Sequence, residues 1–212
     1  MNLLAINFSP RKKGHTYRYL CKIIEQLQPC HSEIVNFPAL NIGYCIGCLD
    51  CEWAGKCILK DDWSLVVKKI EKADTIIFGS PIYAWQLAAP VHIFTNRCRA
   101  YISYNEGMGF PGLSYEEAKE RYYKKYPKAP HPPLFRIRIK KSRDCYIIVT
   151  QGRPNPRNFM PALRIFSDFV KKILLMRIKK LYIITSSGAP HGGNIFELKN
   201  NNKLIKSNGI TA

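Results

Sequence analysis

Apolar residues follow two different periods along the chain. Short runs rich in β-branched and aromatic residues alternate with stretches where apolar positions recur every three or four residues, the pattern of βαβ units around a parallel sheet. Five strands are expected, at residues 2–8, 32–37, 75–79, 146–150 and 181–185. A helix over about 16–27 carries Tyr17, Leu20, Ile23, Ile24 and Leu27 on one face. Asp61 and Asp62 sit where acids favour a helix N-terminus, ahead of Trp63, Val66, Val67 and Ile70. A third helix is expected around 162–176, and a short C-terminal one after Gly193.

The pattern predicts an α/β fold, a doubly wound five-stranded parallel sheet of order 2-1-3-4-5, within a single domain spanning 1–212. Two segments depart from it. A cysteine-rich loop, 41–60, follows strand two, and a long connection at about 101–141 precedes strand four. The connection exceeds the usual few residues of an αβ link, so it is an insertion with its own role. Inside it, Ser114-Tyr115-Glu116-Glu117 is a capping-box pattern starting a short helix through Tyr126, ended by Pro127, Pro130, Pro132 and Pro133.

In a sheet of this order, ligands bind beyond the carboxyl ends of the strands where strand order reverses. After strand one, Ser9, Arg11, Lys13, Gly14, His15 and Thr16 combine hydroxyls, cations and backbone N–H groups at a helix N-terminus, a phosphate cradle. The bland alternative is a polar turn with Thr16 as N-cap. After strand three, Ser80, Pro81, Ile82, Tyr83 and Trp85 offer an apolar shelf for a planar ring, or simply a capped core cluster. After strand four, Thr150, Gln151 and Gly152 add a hydroxyl, an amide and a close backbone approach. No G-x-G-x-x-G or Walker pattern is present, and the arrangement suits FMN.

Cysteine distribution adds a second chemistry. Cys45, Cys48, Cys51 and Cys57 fall within thirteen residues, while Cys21, Cys30, Cys98 and Cys145 are scattered and read as buried or idle thiols. The spacing C-x2-C-x2-C-x5-C lets one loop wrap an iron–sulfur cubane, and it fits the paired cysteines of zinc sites less well. Zinc, a disulfide and unoccupied thiols remain open as alternatives.

Ser9-Pro10-Arg11 and Gly79-Ser80-Pro81-Ile82-Tyr83 resemble the phosphate and isoalloxazine loops of the flavodoxin-like FMN-dependent reductases. Together with the cysteine run, the chain is similar to the iron–sulfur flavoproteins of that superfamily. Phe8, His15 and Asn96 stand where glycine, asparagine and aspartate are common there. The resemblance implies FMN, a 4Fe-4S cluster on the four clustered cysteines, and a homodimer or homotetramer. It also implies electron transfer from a ferredoxin-like carrier through cluster and flavin to a small acceptor. A rival reading is an NAD(P)H-dependent FMN or quinone reductase without a cluster. Neither assigns a catalytic side chain, because the reactive atom belongs to the flavin.

Charge sharpens the partner. The chain carries 33 Lys+Arg against 15 Asp+Glu, a net of +18. Residues 1–100 hold 12 basic and 8 acidic side chains, so a net of +14 falls on residues 101–212. Such a field favours polyanions, anionic membrane surfaces or acidic protein partners without choosing among them, and it suits docking of an acidic ferredoxin-like carrier through long-range steering. It also suits nucleic acid bound by the tyrosine-bearing insertion, although no recognised nucleic-acid motif appears. The apolar stretch at 3–8 precedes its basic residues and is shorter than a secretory signal, which points to the cytoplasm. The uncharged stretch 75–96 is interrupted by Gly79, Pro81, Gln86 and Pro90, which argues against a transmembrane segment.

Overall fold

The computed structural model describes residues 1–48, 50–51, 56–104, 115–128, 136–137, 141–186, 193–199 and 203–207. Strand β1 (Asn2–Asn7) is buried on both faces, as a central parallel strand must be. Helix α1 (His15–Leu27) buries Thr16, Tyr19, Leu20 and Ile23 at helical spacing and ends at left-handed Gln28, whose N–H donates to the Ile24 carbonyl. Strand β2 (His31–Asn36) lies at the sheet edge. Helix α2 (Trp63–Lys72) buries Trp63, Val66 and Ile70. Strand β3 (Thr75–Tyr83) turns back as β4 (Gln86–Leu87). Helices α3 (Ala89–Arg97) and α4 (Arg99–Ile102) follow, then β5 (Ser103–Tyr104), α5 (Tyr115–Lys125) and β6 (Arg136–Ile137). Strand β7 (Asp144–Thr150) leads to α6 (Met160–Asp168), which widens into a π turn over Phe169–Ile173. Strands β8 (Arg177–Thr185), β9 (Asn194–Leu198) and β10 (Leu204–Lys206) complete the chain.

The main sheet runs β10-β9-β8-β7-β3-β1-β2. Its five parallel strands, β2-β1-β3-β7-β8, have the expected 2-1-3-4-5 order. The sheet is wider than five strands, because β9 pairs antiparallel with β8 and β10 with β9. The helix expected after Gly193 is therefore replaced by a strand. Its side chains alternate, with Ile195 and Glu197 buried, and that period of two outweighs the helical reading. Strand three also runs longer than expected. Beyond Gly79 it loses β1 but keeps β7, through Ser80↔Val149 and Pro81↔Thr150. Pro81 is tolerated there because nothing requires its missing N–H on the side β1 has vacated.

Consecutive residues of the central strands face opposite layers. Leu3, Ala5, Ile77, Ile148 and Ile184 pack with Leu20 and Ile23 of α1. Leu4, Ile6, Ile76, Phe78, Ile147 and Val149 pack with α2, α3 and α6. Within that second layer Phe8 contacts Phe37, Phe78 and Phe94 at centroid distances of 5.3, 6.1 and 5.4 Å. Phe8 is fully buried and its N–H donates to the Gly79 carbonyl at 2.8 Å. Gly79 is required by close approach, since a Cβ there would lie 3.0 Å from Leu20 and Thr16 side-chain atoms.

The insertion is pinned at its stem by a two-stranded ribbon, Ser103↔Ile137 and Tyr104↔Arg136. Its helix is α5; the proposed capping residue Ser114, together with Pro130, Pro132 and Pro133, lies outside the described residues. At the end of the sheet where the strands begin, buried Arg143 donates to the carbonyls of Ala73, Glu71 and Lys141 at 3.1, 3.1 and 2.8 Å. It thereby satisfies the C-terminal end of α2.

Candidate functional site

The loops after β1, β3 and β7 meet beyond the carboxyl ends of their strands, as the register Asn7↔Gly79 and Pro81↔Thr150 requires. Buried Asn7 organises the first. Its Nδ2 donates to Asn36 Oδ1 at 2.9 Å and its Oδ1 accepts the Ser9 N–H at 3.1 Å. The Ser9 hydroxyl, also buried, accepts the Arg11 N–H at 3.2 Å, and the Gly14 N–H closes the turn on the Arg11 carbonyl at 3.1 Å. Arg11, Lys12 and Lys13 stand exposed around it. Gly14 is the N-cap of α1 and makes no side-chain cap, so the leading N–H groups of the helix remain available to an anion. Thr16 is therefore inside the helix rather than its N-cap. Its hydroxyl shares a 2.8 Å hydrogen bond with that of Thr150, joining the first loop to the third across 134 residues.

The second loop is shaped by strain. Ala84 and Trp85 both take left-handed backbone, φ 44° and 67°, to make the tight β3–β4 hairpin without a glycine. Ser80 locks the hairpin, its hydroxyl accepting the Ala88 N–H at 3.2 Å and donating to the Pro81 carbonyl at 2.9 Å. Trp85 is held 63% exposed with its ring 5.2 Å from that of Phe159. Between this hairpin and the loop after β7 lies a cleft of about 360 Å³, lined by Ile82, Ala84, Trp85, Gln151, Gly152, Arg153 and Phe159. Gln151 Nε2 donates to the carbonyls of Arg153 and Asn155 at 3.0 and 2.8 Å. Carbonyls only accept, so this end of the amide must be the nitrogen. Gln151 Oε1 is thereby left buried without a donor. A Cβ at Gly152 would meet nothing within 4 Å, which leaves the cleft open there.

The cysteine loop is clasped at its neck. Asn41 and Asp62 exchange bonds, Asn41 N–H to Asp62 Oδ2 at 2.8 Å and Asp62 N–H to the Asn41 carbonyl at 3.0 Å. Asp61 accepts the Gly43 N–H on Oδ2 and the Trp63 N–H on Oδ1, both at 3.1 Å. The two acids thus close the loop as well as opening α2. Within it, Gly47 takes φ 70°, the left-handed region that favours glycine. Cys45, Cys48, Cys51 and Cys57 line one pocket of about 80 Å³ with Ile46, Gly47, Leu59, Asn96, Arg97, Arg99 and Ala100. None of the four is in a disulfide. Burial, then the neighbouring Cys57, pushes the Cys51 thiol up to about 11, against the opposing pull of the Arg99 charge. Burial likewise raises Cys48.

Buried Arg97 stands against this pocket. Its Nη1 donates to Asp61 Oδ2 at 2.5 Å and to the Gly43 carbonyl at 2.8 Å; its Nη2 donates to Asp61 Oδ1 at 2.9 Å and Cys57 Sγ at 3.4 Å. The Trp63 ring lies 5.5 Å from the guanidinium carbon. Its Nε finds no partner. Burial pushes Asp61 up, but bonds from Arg97, Trp63 and Gly43 and the Arg97 charge outweigh it and hold the carboxyl below its usual range.

The four clustered cysteines line one pocket, and of the residues read as a flavin site Ile82, Trp85, Gln151 and Gly152 line the other, whereas Ser9 to Thr16 line neither and reach the third loop through the Thr16–Thr150 bond. Of the scattered thiols, Cys98 and Cys145 are buried, Cys21 is half-buried and Cys30 is exposed. Sequence reasoning missed Arg97, Arg153 and Phe159. Only a tertiary contact identifies them, since Arg97 meets Cys57 and Asp61 from 40 and 36 residues away.

The donors match the groups in question. A soft set of four thiols beside a guanidinium suits an anionic iron–sulfur group. Among the described residues no three His, Cys, Asp or Glu side chains are gathered closely enough to hold a metal ion. A buried amide oxygen facing no donor, an aromatic shelf and a cationic helix N-terminus suit a ring with polar edges and a phosphate tail.

A doubly wound α/β sheet with its pockets at the carboxyl edge defines a flavodoxin-like protein. Two solved structures share that fold: an NAD(P)H:quinone oxidoreductase from Methanothermobacter marburgensis (14% identity, covering 90% of this chain and 85% of that one, TM-score 0.57) and an azoreductase from Bacillus anthracis str. Sterne (10% identity, 88% of each chain, TM-score 0.56). Residues 1–113 match the family described as NADPH-dependent FMN reductase, and the chain belongs to that family. An iron–sulfur flavoprotein of Clostridioides difficile (strain 630) is 35% identical over 133 residues, 54% of this chain and 59% of the relative. One of Methanocaldococcus jannaschii is 31% identical over 101 residues, 47% of this chain and 52% of the relative. The chain spans little more than half the length of these curated relatives.

Proposed function

We propose that this chain is a flavin-dependent oxidoreductase of the iron–sulfur flavoprotein kind, holding FMN at the loops after β1, β3 and β7 and a 4Fe-4S cluster on Cys45, Cys48, Cys51 and Cys57. One observation carries the reading. Among the described residues, the only buried side-chain polar atoms without a partner are Gln151 Oε1 and Arg97 Nε, each in a side chain that lines one of the two pockets. Buried polar atoms are otherwise almost always satisfied, so an orphan on a lining residue of each pocket supports an occupant in each.

In this reading the side chains divide the work. Ser9, Arg11, Lys13, Gly14, His15 and the start of α1 hold the phosphate; Thr16 and Thr150 tie the phosphate and ring ends together. Ser80, Pro81, Ile82, Tyr83 and Trp85 form the shelf, and Gln151 and Gly152 meet the polar rim. When bound, the cluster passes single electrons and FMN delivers them in pairs. The protein sets potential, access and orientation, with no side chain acting as acid or base.

An acidic one-electron carrier of ferredoxin type is the proposed donor, with a small-molecule acceptor at Trp85 and Phe159. Arg11, Lys12, Lys13, Arg153 and Arg157 are all exposed on the loops of the carboxyl edge, where the field would steer such a carrier. A homodimer or homotetramer in the cytoplasm completes the proposal. No helix among the described residues is long and apolar enough to cross a membrane.

Anaerobic purification followed by an absorption spectrum and assays of iron, acid-labile sulfide and FMN tests the proposal. FMN, iron and sulfide together are the expected result. A yellow protein holding FMN without iron or sulfide would overturn the cluster and leave an NAD(P)H-dependent FMN or quinone reductase. Flavin-free protein that binds single-stranded nucleic acid tightly and salt-sensitively would overturn both.

A further inference from the structure

Arg97 is the largest fully buried side chain of the described residues, and it is a cation in contact with a cysteine of the cluster pocket. Burying a guanidinium costs several kcal/mol unless geometry compensates it, and here compensation is elaborate. Asp61 takes both arms of the fork, and its own two oxygens are fixed further by the N–H groups of Gly43 and Trp63. Brace duty at the loop neck needs only Asp61 and the Gly43 carbonyl. The remaining donor of Nη2 is spent on Cys57 Sγ, and Nε stays unpartnered in a side chain that lines the pocket.

We propose that Arg97 is a positioning residue that sets the reduction potential of the group held by the four cysteines, by keeping a fixed charge and an N–H donor against Cys57 Sγ. This rests on the cluster reading above. Reduction takes one electron from the donor, which is oxidised by one, and adds one negative charge to the thiolate site with no bond made or broken. A cation fixed in a poorly solvated pocket stabilises the more negative state more than the less negative one. Hydrogen bonds to cluster sulfurs act in the same direction. Arg97 therefore raises the potential and makes the site easier to reduce.

The test is an anaerobic redox titration of the full-length protein, followed by the visible absorption and EPR of the cluster, for wild type, Arg97→Met and Arg97→Lys. Arg97→Met removes charge and donor. Its one-electron reduction equilibrium should weaken about tenfold, or ~59 mV towards lower potential. Arg97→Lys restores charge without the fork and should recover part of that shift. If Arg97→Met cannot hold the group, a lowered potential in Arg97→Lys alone supports the proposal. Either variant with full iron and sulfide and the wild-type potential overturns it. Loss of iron from both variants, with native circular dichroism and FMN content, means a holding role only and also overturns it. Wild-type protein without iron and sulfide overturns the cluster reading itself, which distinguishes that failure from the failure of Arg97.

Discussion

Where the parallel strands begin, Arg143 is buried against three backbone carbonyls, and each of these three hydrogen bonds is to main chain. Where they end, Arg97 is buried against a carboxylate, a carbonyl and a thiol, and one of its nitrogens has nothing. The same residue type thus does two jobs. At the first end the guanidinium finishes a helix and leaves no group wanting. At the second, satisfaction is incomplete, the backbone is strained at Ala84 and Trp85, and aromatic surface is left in water. Folding alone explains the first end. The second makes sense once a ligand is included, because an unsatisfied buried group costs about 1–3 kcal/mol and is retained only where something repays it.

Several substitutions separate the two ends. Cys51→Ser should have the largest effect, lowering iron and acid-labile sulfide on the order of tenfold while FMN content stays near wild type; unchanged iron would remove Cys51 from the site. At the opposite end, Arg143→Met orphans the carbonyls of Ala73, Glu71 and Lys141, and should cost ~3 kcal/mol in urea unfolding with FMN, iron and sulfide per folded protein unchanged. A stable Arg143→Met protein that has lost cofactor would break the comparison outright. Gln151→Leu removes the free acceptor and should raise the FMN Kd about tenfold, ~1.4 kcal/mol, by fluorescence titration of apoprotein. Gly79→Ala puts a methyl against Leu20 and Thr16, and a loss of about 1 kcal/mol is expected in the same unfolding assay.

Acid titration sharpens the contrast with the smallest effect. Asp61 and Asp74 both have carboxyls held below the usual value of 3.8, Asp61 by Arg97 and two N–H groups against the opposing effect of burial. Asp74 is held down by the Asn2 N–H and then by Lys141. A depressed carboxylate adds stability above its unfolded pKa and loses it as pH falls through the folded one, so both contributions fade below about pH 4. Asp74 is exposed and its ion pair is screened, whereas Asp61 is nearly buried. Raising salt to ~1 M should weaken the Lys141 share of the Asp74 part of the acid transition and leave the Asp61 part, as read by comparing Asp61→Asn and Asp74→Asn.

Much of this is legible in the sequence. The five parallel strands follow from the alternating periods, and their order was expected from the doubly wound template. Ser9 to Thr16 and Cys45 to Cys57 were legible because each is a local loop whose residue types state their chemistry. Strand β9 was not, since Asn194–Leu198 is five residues long and its period of two is decided by pairing with β8. Asp61 was read as a helix-start acid, which is true of its Oδ1 and misses its bonds to Gly43 and Arg97. The extension of β3 through Tyr83 was hidden by Pro81, whose placement is tolerated only because β1 has already ended.

The amino-acid sequence by itself determined the layered α/β architecture, the loops at the carboxyl edge and the four thiols of one pocket, because periodicity and short-range spacing carry those features. Tertiary structure alone decided that Gln151 turns its nitrogen to two carbonyls and leaves its oxygen free. It also decided that, of the two buried arginines among the described residues, Arg97 reaches a thiol and Arg143 reaches main-chain carbonyls. Which groups are left without a partner depends on contacts dozens of residues apart, and no local pattern encodes them.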